Sequence, residues 1–136
     1  MTIYEDKLRE CHKAMECAVD EPLSIDTLKL RYKLLNEELE ELKVEIDALC
    51  QELEETGTTQ TETRAKMLKE LSDLQYVLSG MAVSFDLPLE DAFLRVHTSN
   101  MSKLVNGKPL KRADGKFLKG PNYQPPHLED LAEKIK

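Results

Sequence analysis

At 136 residues the chain fits a single domain, and a third of its residues are charged while aromatics and glycine are few and tryptophan is absent. No apolar run approaches the roughly 20 residues that span a bilayer, which excludes a membrane span, and the net charge of −7 argues against a general binder of nucleic acid polymers. The leading MTIYEDKLRE lacks the basic-then-apolar order of a secretory signal, and Cys11, Cys17 and Cys50 lack metal-finger spacing, so a cytoplasmic, helical protein with buried structural thiols is expected.

Residues 2 to about 17 fit a first helix, with Ile3, Leu8, Cys11 and Met15 on one side. Pro22 breaks it. Ser24 or Asp26 then caps a second helix that runs to about Glu55, roughly 45 Å long, and stops where Gly57 supplies a left-handed turn. Thr59 and Glu62 have capping-box spacing for a third helix ending near Phe85. Pro88 suits the first turn of a fourth, reaching about Leu104. NGKP, RADGK and KGPNYQPP are turn chemistry, and HLEDLAEKI fits a short last helix. The expected fold is all-α. An antiparallel four-helix bundle (residues 1–104) carries an irregular C-terminal arm (105–136, a basic loop and short helix), all within one domain spanning 1–136.

In the second helix, Leu28, Leu35, Leu42 and Leu49 recur every seven residues, and Tyr32, Leu39, Ile46 and Leu53 fill the complementary heptad positions. That is a complete coiled-coil seam. Glu38 lies roughly 60° from its centre at about 100° per residue, with Glu41 further round. This helix alone leaves two readings open: a structural coiled coil with solvated glutamates, or a functional acidic edge.

The third helix tips the balance. Its apolar stripe is Met67, Leu74, Val77, Met81 and Phe85, and Glu70 falls inside that stripe with Asp73 at its edge. A carboxylate in a packing face is expensive unless paired. Lys66 and Lys69 are candidate partners. If the second and third helices pack antiparallel, Glu38, Glu41, Glu70 and Asp73 converge, and such a group needs a counter-cation. Hard carboxylate oxygens suit Mg²⁺, with Mn²⁺ as a substitute, and not zinc. On the fourth helix, Asn100 shares a face with Leu89, Phe93, Val96 and Leu104, and Lys103 follows. From Lys103 to Lys119 there are six basic residues and one acid, Asp114. That segment is either an anion-binding arm or a solvated loop.

EELEE (Glu37 to Glu41) followed by ELSD (Glu70 to Asp73) resembles the EExxE…ExxD signature of the MazG-like all-α nucleoside triphosphate pyrophosphohydrolases. VHTSNMSK and DGKFLKGPNYQPP resemble the C-terminal part of a bacterial and phage subgroup that includes MazG-like dUTP pyrophosphatases, and CHKAM is similar to its first helix. The resemblance implies that Glu38, Glu41, Glu70 and Asp73 bind Mg²⁺. It implies that Glu37 binds a further ion or orients water, and that Asn100 and Lys103 contact substrate. Members cleave between the α and β phosphates to give a monophosphate and pyrophosphate. They form homodimers or homotetramers, which would cover the apolar seam.

The expected function is therefore Mg²⁺-dependent hydrolysis of a nucleoside triphosphate, dUTP or dCTP by resemblance, in a house-cleaning role. Glu37 or Glu41 is the expected general base. Lys103, Lys116 and Lys119 meet the phosphates, with the arm as a lid and Tyr123 stacking. Phosphoribosyl-ATP hydrolysis is ranked lower. A non-catalytic helical interaction protein is the alternative from outside the family.

Overall fold

The computed structural model describes residues 2–136, and every regular element in it is helical: α1 (Ile3–Ala14), α2 (Ile25–Thr56), α3 (Thr61–Phe85), α4 (Leu89–Met101) and α5 (Glu129–Ala132). Among the described residues, no helix is long and apolar enough to cross a membrane. The chain divides into two compact units. The first holds α1, α2 and α3 through Leu87, together with Lys136; the second is Pro88–Ile135. The expected helices form, but α4 falls in the second unit, with the arm.

In the first unit α3 is the hub, packing on both α1 and α2. The C-terminal half of α3 is buried through small residues: Ser79, Gly80, Ala82 and Ser84, with Val83 and Phe85. Small side chains let neighbouring backbones approach closely. The Ser84 hydroxyl, fully buried, donates to the Gly80 carbonyl (2.8 Å) and so meets its own hydrogen-bonding need. Leu8 from α1 reaches this core, and Leu42 is buried further along α2.

Helix α2 starts and stops as its sequence dictates. The Ser24 side chain accepts from the Thr27 N–H, and Gly57 takes the left-handed conformation (φ 74°) that ends the helix. Only one line of its heptad seam packs, however. Arg31 and Leu42 are buried, and Leu28, Leu35 and Leu49 are half-buried. Tyr32 (70%), Leu39 (54%), Ile46 (44%) and Leu53 (52%) are exposed. The helix is turned so that the edge carrying Glu38, not the seam's centre, meets α3.

The start of α3 differs from the expected capping box. Gln60 is the N-cap and makes no side-chain cap bond. Thr59 instead accepts from Arg64, and Glu62 pairs with Lys66 (3.6 Å). The capping group comes from α2: Glu52 accepts from the Gln60 N–H (3.0 Å) and from the Thr63 hydroxyl. A carboxylate at a helix N-terminus satisfies free N–H groups and meets the positive end of the helix dipole.

In the second unit the arm is fastened to α4. Ser99 and Ser102 donate to the Gln124 carbonyl (2.7 and 3.4 Å), the Gly120 N–H donates to the Lys103 carbonyl (3.0 Å), and Arg95 forks onto Asp130 (2.6 and 3.0 Å). Gly120 has no alternative there, since a Cβ would stand 2.7 Å from the Lys103 carbonyl oxygen. The α4 face expected to pack is open: Leu89, Phe93 and Val96 are exposed with Asn100, and Ser99 is the buried residue of the helix. The cysteines also depart from expectation, with Cys17 and Cys50 exposed and only Cys11 half-buried.

The Glu52 cap has a pH signature. The Thr63 hydroxyl, and then the Gln60 N–H, hold its carboxyl below the usual carboxylate range. A depressed carboxylate stabilises the fold above its unfolded pKa, about 4.3, and loses that contribution as pH falls through the lower folded value. Glu52→Ala is expected to lower the melting temperature at pH 7. In thermal melts the gap to wild type closes below about pH 4.

Candidate metal centre

The antiparallel packing of α2 on α3 brings Glu38, Glu41, Glu70 and Asp73 together. One oxygen from each lies within 4.8 Å of all the others. Each pair is three residues apart on its helix, so each side presents two carboxylates from adjacent turns. The rotation of α2 away from its seam is what turns Glu38 inward.

The cluster is poorly satisfied by protein groups. Glu38 Oε2 and Glu70 Oε2 are buried with no hydrogen-bond partner. Two unit charges at such a separation repel by about 3–4 kcal/mol at an effective dielectric near 20. The Glu38 carboxyl accordingly titrates above the usual carboxylate range. Burial is the first cause, followed by repulsion from Glu41, a hydrogen bond to Glu41 that only a protonated acid can make, and the charges of Asp73 and Glu70.

Among the described residues, one cation reaches the group. Lys69 Nζ stands 2.7 Å from Asp73 and 3.6 Å from Glu70. It is an exposed side chain at the rim and leaves both buried oxygens unserved. Lys66, the other candidate partner, is drawn off by Glu62. Four convergent carboxylates with two orphaned buried oxygens fit a hard divalent cation: charge balance and missing ligation are the two things the cluster lacks.

The remaining candidates lie elsewhere. Glu37, first acid of the motif, is outside the cluster, with Lys33 at 4.0 Å along its own helix. Asn100, Lys103, Lys116, Lys119 and Tyr123 all belong to the second unit. There Asn100 is exposed, Lys103 is half-buried, and Lys119 sits over the Tyr123 ring with its nitrogen 4.7 Å from the centroid. Tyr123 therefore already has a cationic partner on one face. Sequence reasoning missed two buried polar residues further along the first unit, Arg31 and His12. The available signal was spacing: Arg31 precedes Glu38 by two helical turns on the same face.

The raised Glu38 pKa gives a prediction for protein stripped of metal. A carboxyl whose folded pKa is raised costs nothing below its unfolded pKa and destabilises the fold as pH rises towards the folded value and beyond. In EDTA, Glu38→Gln is expected to melt higher than wild type at pH 7 by a few degrees, and the advantage disappears below about pH 4. Equal melting curves at pH 7 would show that the cluster carries no strain.

Residues 7–100 match the family model described as phosphoribosyl-ATP pyrophosphohydrolase. The match covers α1, α2 and α3 from Lys7 onward and all four clustered acids, and it ends at Asn100, before Lys103 and the basic arm. None of the curated proteins compared with the chain matches it. With the acids convergent on an all-helical frame and most of the chain matched, the protein belongs to the phosphoribosyl-ATP pyrophosphohydrolase family, within the MazG-like all-α superfamily, and is a hydrolase acting on phosphoric anhydride bonds.

Proposed function

We propose that residues 1–136 act as one nucleotide pyrophosphohydrolase domain that depends on Mg²⁺, with Mn²⁺ as a substitute. The observation that supports the metal is the pair of buried carboxylate oxygens, on Glu38 and Glu70, left without partners in a four-acid cluster. The family is typically dependent on divalent metals.

Glu38, Glu41, Glu70 and Asp73 hold the ion. When bound, it neutralises the polyphosphate and makes a water more acidic. Glu41, the exposed member of the group, takes the proton of the attacking water. Water adds to the α phosphorus, the bond from that phosphorus to the bridging oxygen breaks, and the electron pair leaves with pyrophosphate. Glu37, tied to Lys33 outside the cluster, is displaced from this role in favour of Glu41. Asn100, Lys103, Lys116, Lys119 and Tyr123 are assigned to substrate contact, with the lysines meeting negative charge on the phosphates.

Two substrates are compatible with the same chemistry. Phosphoribosyl-ATP is favoured by the family match. The pyrimidine deoxynucleotides, dUTP or dCTP, rest on resemblance in VHTSNMSK and DGKFLKGPNYQPP, most of which lies beyond the matched residues. We place the family reading first. A cytoplasmic location suits either substrate.

The exposed stripe of Tyr32, Leu39, Ile46 and Leu53 favours a homodimer or homotetramer, in which the helices complete the expected bundle across subunits. Light scattering is expected to give a multiple of 15.6 kDa, and Leu39→Glu to reduce it. A monomeric wild type would remove this assembly.

Pyrophosphate release, measured with phosphoribosyl-ATP and each common nucleoside and deoxynucleoside triphosphate, tests the activity. Mg²⁺-dependent turnover of at least one is expected, falling about 100-fold or more in Glu38→Gln and Glu70→Gln. Both variants should also lose the rise in melting temperature that Mg²⁺ gives wild type. Turnover retained in both variants would falsify the metal assignment. No turnover of any substrate, with a melting point indifferent to Mg²⁺ and nucleotide, would favour the helical interaction protein.

A further inference from the structure

Two helical turns from the acids, the same interface buries a charge of opposite sign. Arg31 stands seven residues before Glu38 on α2, and Gly80 seven after Asp73 on α3. Because the helices are antiparallel, the Arg31–Gly80 contact is offset from the acids by about 10 Å along the shared face. Arg31 is 6% exposed. Its Nε is buried without a partner, and no acceptor among the described residues reaches the guanidinium. A buried guanidinium nitrogen left without an acceptor costs free energy that a ligand carrying one would recover.

The surroundings specify what is missing. A Cβ at Gly80 would stand 3.1 Å from an Arg31 terminal nitrogen and 3.2 Å from His12 Nε2. The absent side chain therefore lets two polar tips meet over one spot. His12, from α1, is 3% exposed, and its Nδ1 lies 2.8 Å from the Ala18 carbonyl oxygen. A carbonyl can only accept, so Nδ1 carries the proton. Burial first, and Arg31 as well, hold the ring pKa below its usual value against the pull of the Ala18 bond. The ring is neutral at pH 7 and Nε2 is a bare acceptor.

A donor fork and an acceptor thus stand together, neither used by the protein. A fully ionised phosphate cannot serve both, because it offers only acceptors to the imidazole lone pair. A metal cation cannot, because the guanidinium repels it. A flat heterocycle edge with an acceptor beside an N–H serves both, and nucleobases carry such an edge. The offset from the acids matches the span of a nucleoside from its phosphates to the far edge of its base.

We propose that Arg31 and His12 form the nucleobase subsite of this enzyme, with Arg31 donating to an acceptor on the edge of the base and His12 Nε2 receiving the adjacent N–H. The assignment rests on the pyrophosphohydrolase reading for the position of the phosphates. It makes these two residues, on α2 and α1, determinants of which nucleotide is chosen.

Calorimetric binding in Mg²⁺ tests it, using α,β-methylene analogues of the common nucleoside triphosphates and inorganic tripolyphosphate as the base-free probe. Wild type is expected to bind at least one analogue about tenfold or more tighter than tripolyphosphate. Arg31→Met should erase that margin and leave tripolyphosphate affinity unchanged. Gly80→Ala should do the same by crowding both tips, and it carries the test if Arg31→Met does not give a native circular dichroism spectrum. Equal weakening for both probes would make Arg31 a phosphate contact and overturn the proposal. Unchanged affinities in both variants would make the cluster structural and overturn it too. A wild type that binds neither probe and releases no pyrophosphate from phosphoribosyl-ATP overturns the pyrophosphohydrolase reading along with it, and one that binds neither yet turns over phosphoribosyl-ATP overturns the subsite alone. Binding of both probes by wild type with no margin between them overturns the nucleobase subsite alone.

Discussion

Like charges held close inside a helix–helix interface are the constraint on which the rest of this protein depends. Four carboxylates between α2 and α3 repel one another, and two of their oxygens have lost water without gaining a partner. Packing must make up the deficit elsewhere. It does so at the other end of α3, where Ser79, Gly80, Ala82, Val83, Ser84 and Phe85 are all buried against neighbouring chain. Along the acidic stretch, Leu42 is the one buried leucine of α2 among the described residues. Close packing where α3 is small offsets the unmet charge where it is acidic, and a cation bound there would supply what those acids lack.

The same constraint explains which parts of the fold could be read from sequence. Helix α2 was legible at both ends because Ser24 and Gly57 act on their own backbone. The start of α3 was not, because its cap, Glu52, arrives from another helix and no local motif announces it. The heptad seam was real as a pattern, but only its Leu28, Leu35, Leu42 and Leu49 line lies in the packing face. A seven-residue repeat shows which stripe is apolar, but the buried edge is set by the partner, and here α3 draws in the Glu38 edge and leaves Tyr32 and Leu39 outside. The fourth helix was legible in extent, ending at Met101, while its packing was not. Its expected apolar face is exposed, and Ser99, bonded to the arm, is buried instead.

For the site, residues that violated a pattern were legible and residues that fitted one were not. Glu70 stood out because it interrupts an apolar stripe, and the structure places it with Glu38, Glu41 and Asp73. Glu37 looked equivalent to its neighbours in a glutamate-rich run, yet one position along a helix turns a side chain by about 100°, and that points it at Lys33. Arg31 escaped notice for the converse reason. In a helix crowded with lysine and glutamate, one more cation reads as solvated surface, and only the contact with Gly80 shows that it is inside.

The two sets of unsatisfied groups are opposite in sign and share one face, two turns apart. A salt bridge between them would have relieved both, and seven residues of helix keep them apart. Each set then needs an external partner of a different kind: the acids a hard cation, the Arg31–His12 pair a neutral edge with its own donor and acceptor. A nucleotide carrying its metal brings both at a fixed separation, whereas free phosphate or free nucleoside brings only one. Binding a complete substrate therefore removes two deficits at once. The free protein carries the cost of both, so substitutions that neutralise either set should stabilise the unliganded fold while removing what makes it selective. On this account the instability of the α2–α3 interface is the source of its specificity, because only a ligand with the correct spacing of charges can relieve all of it.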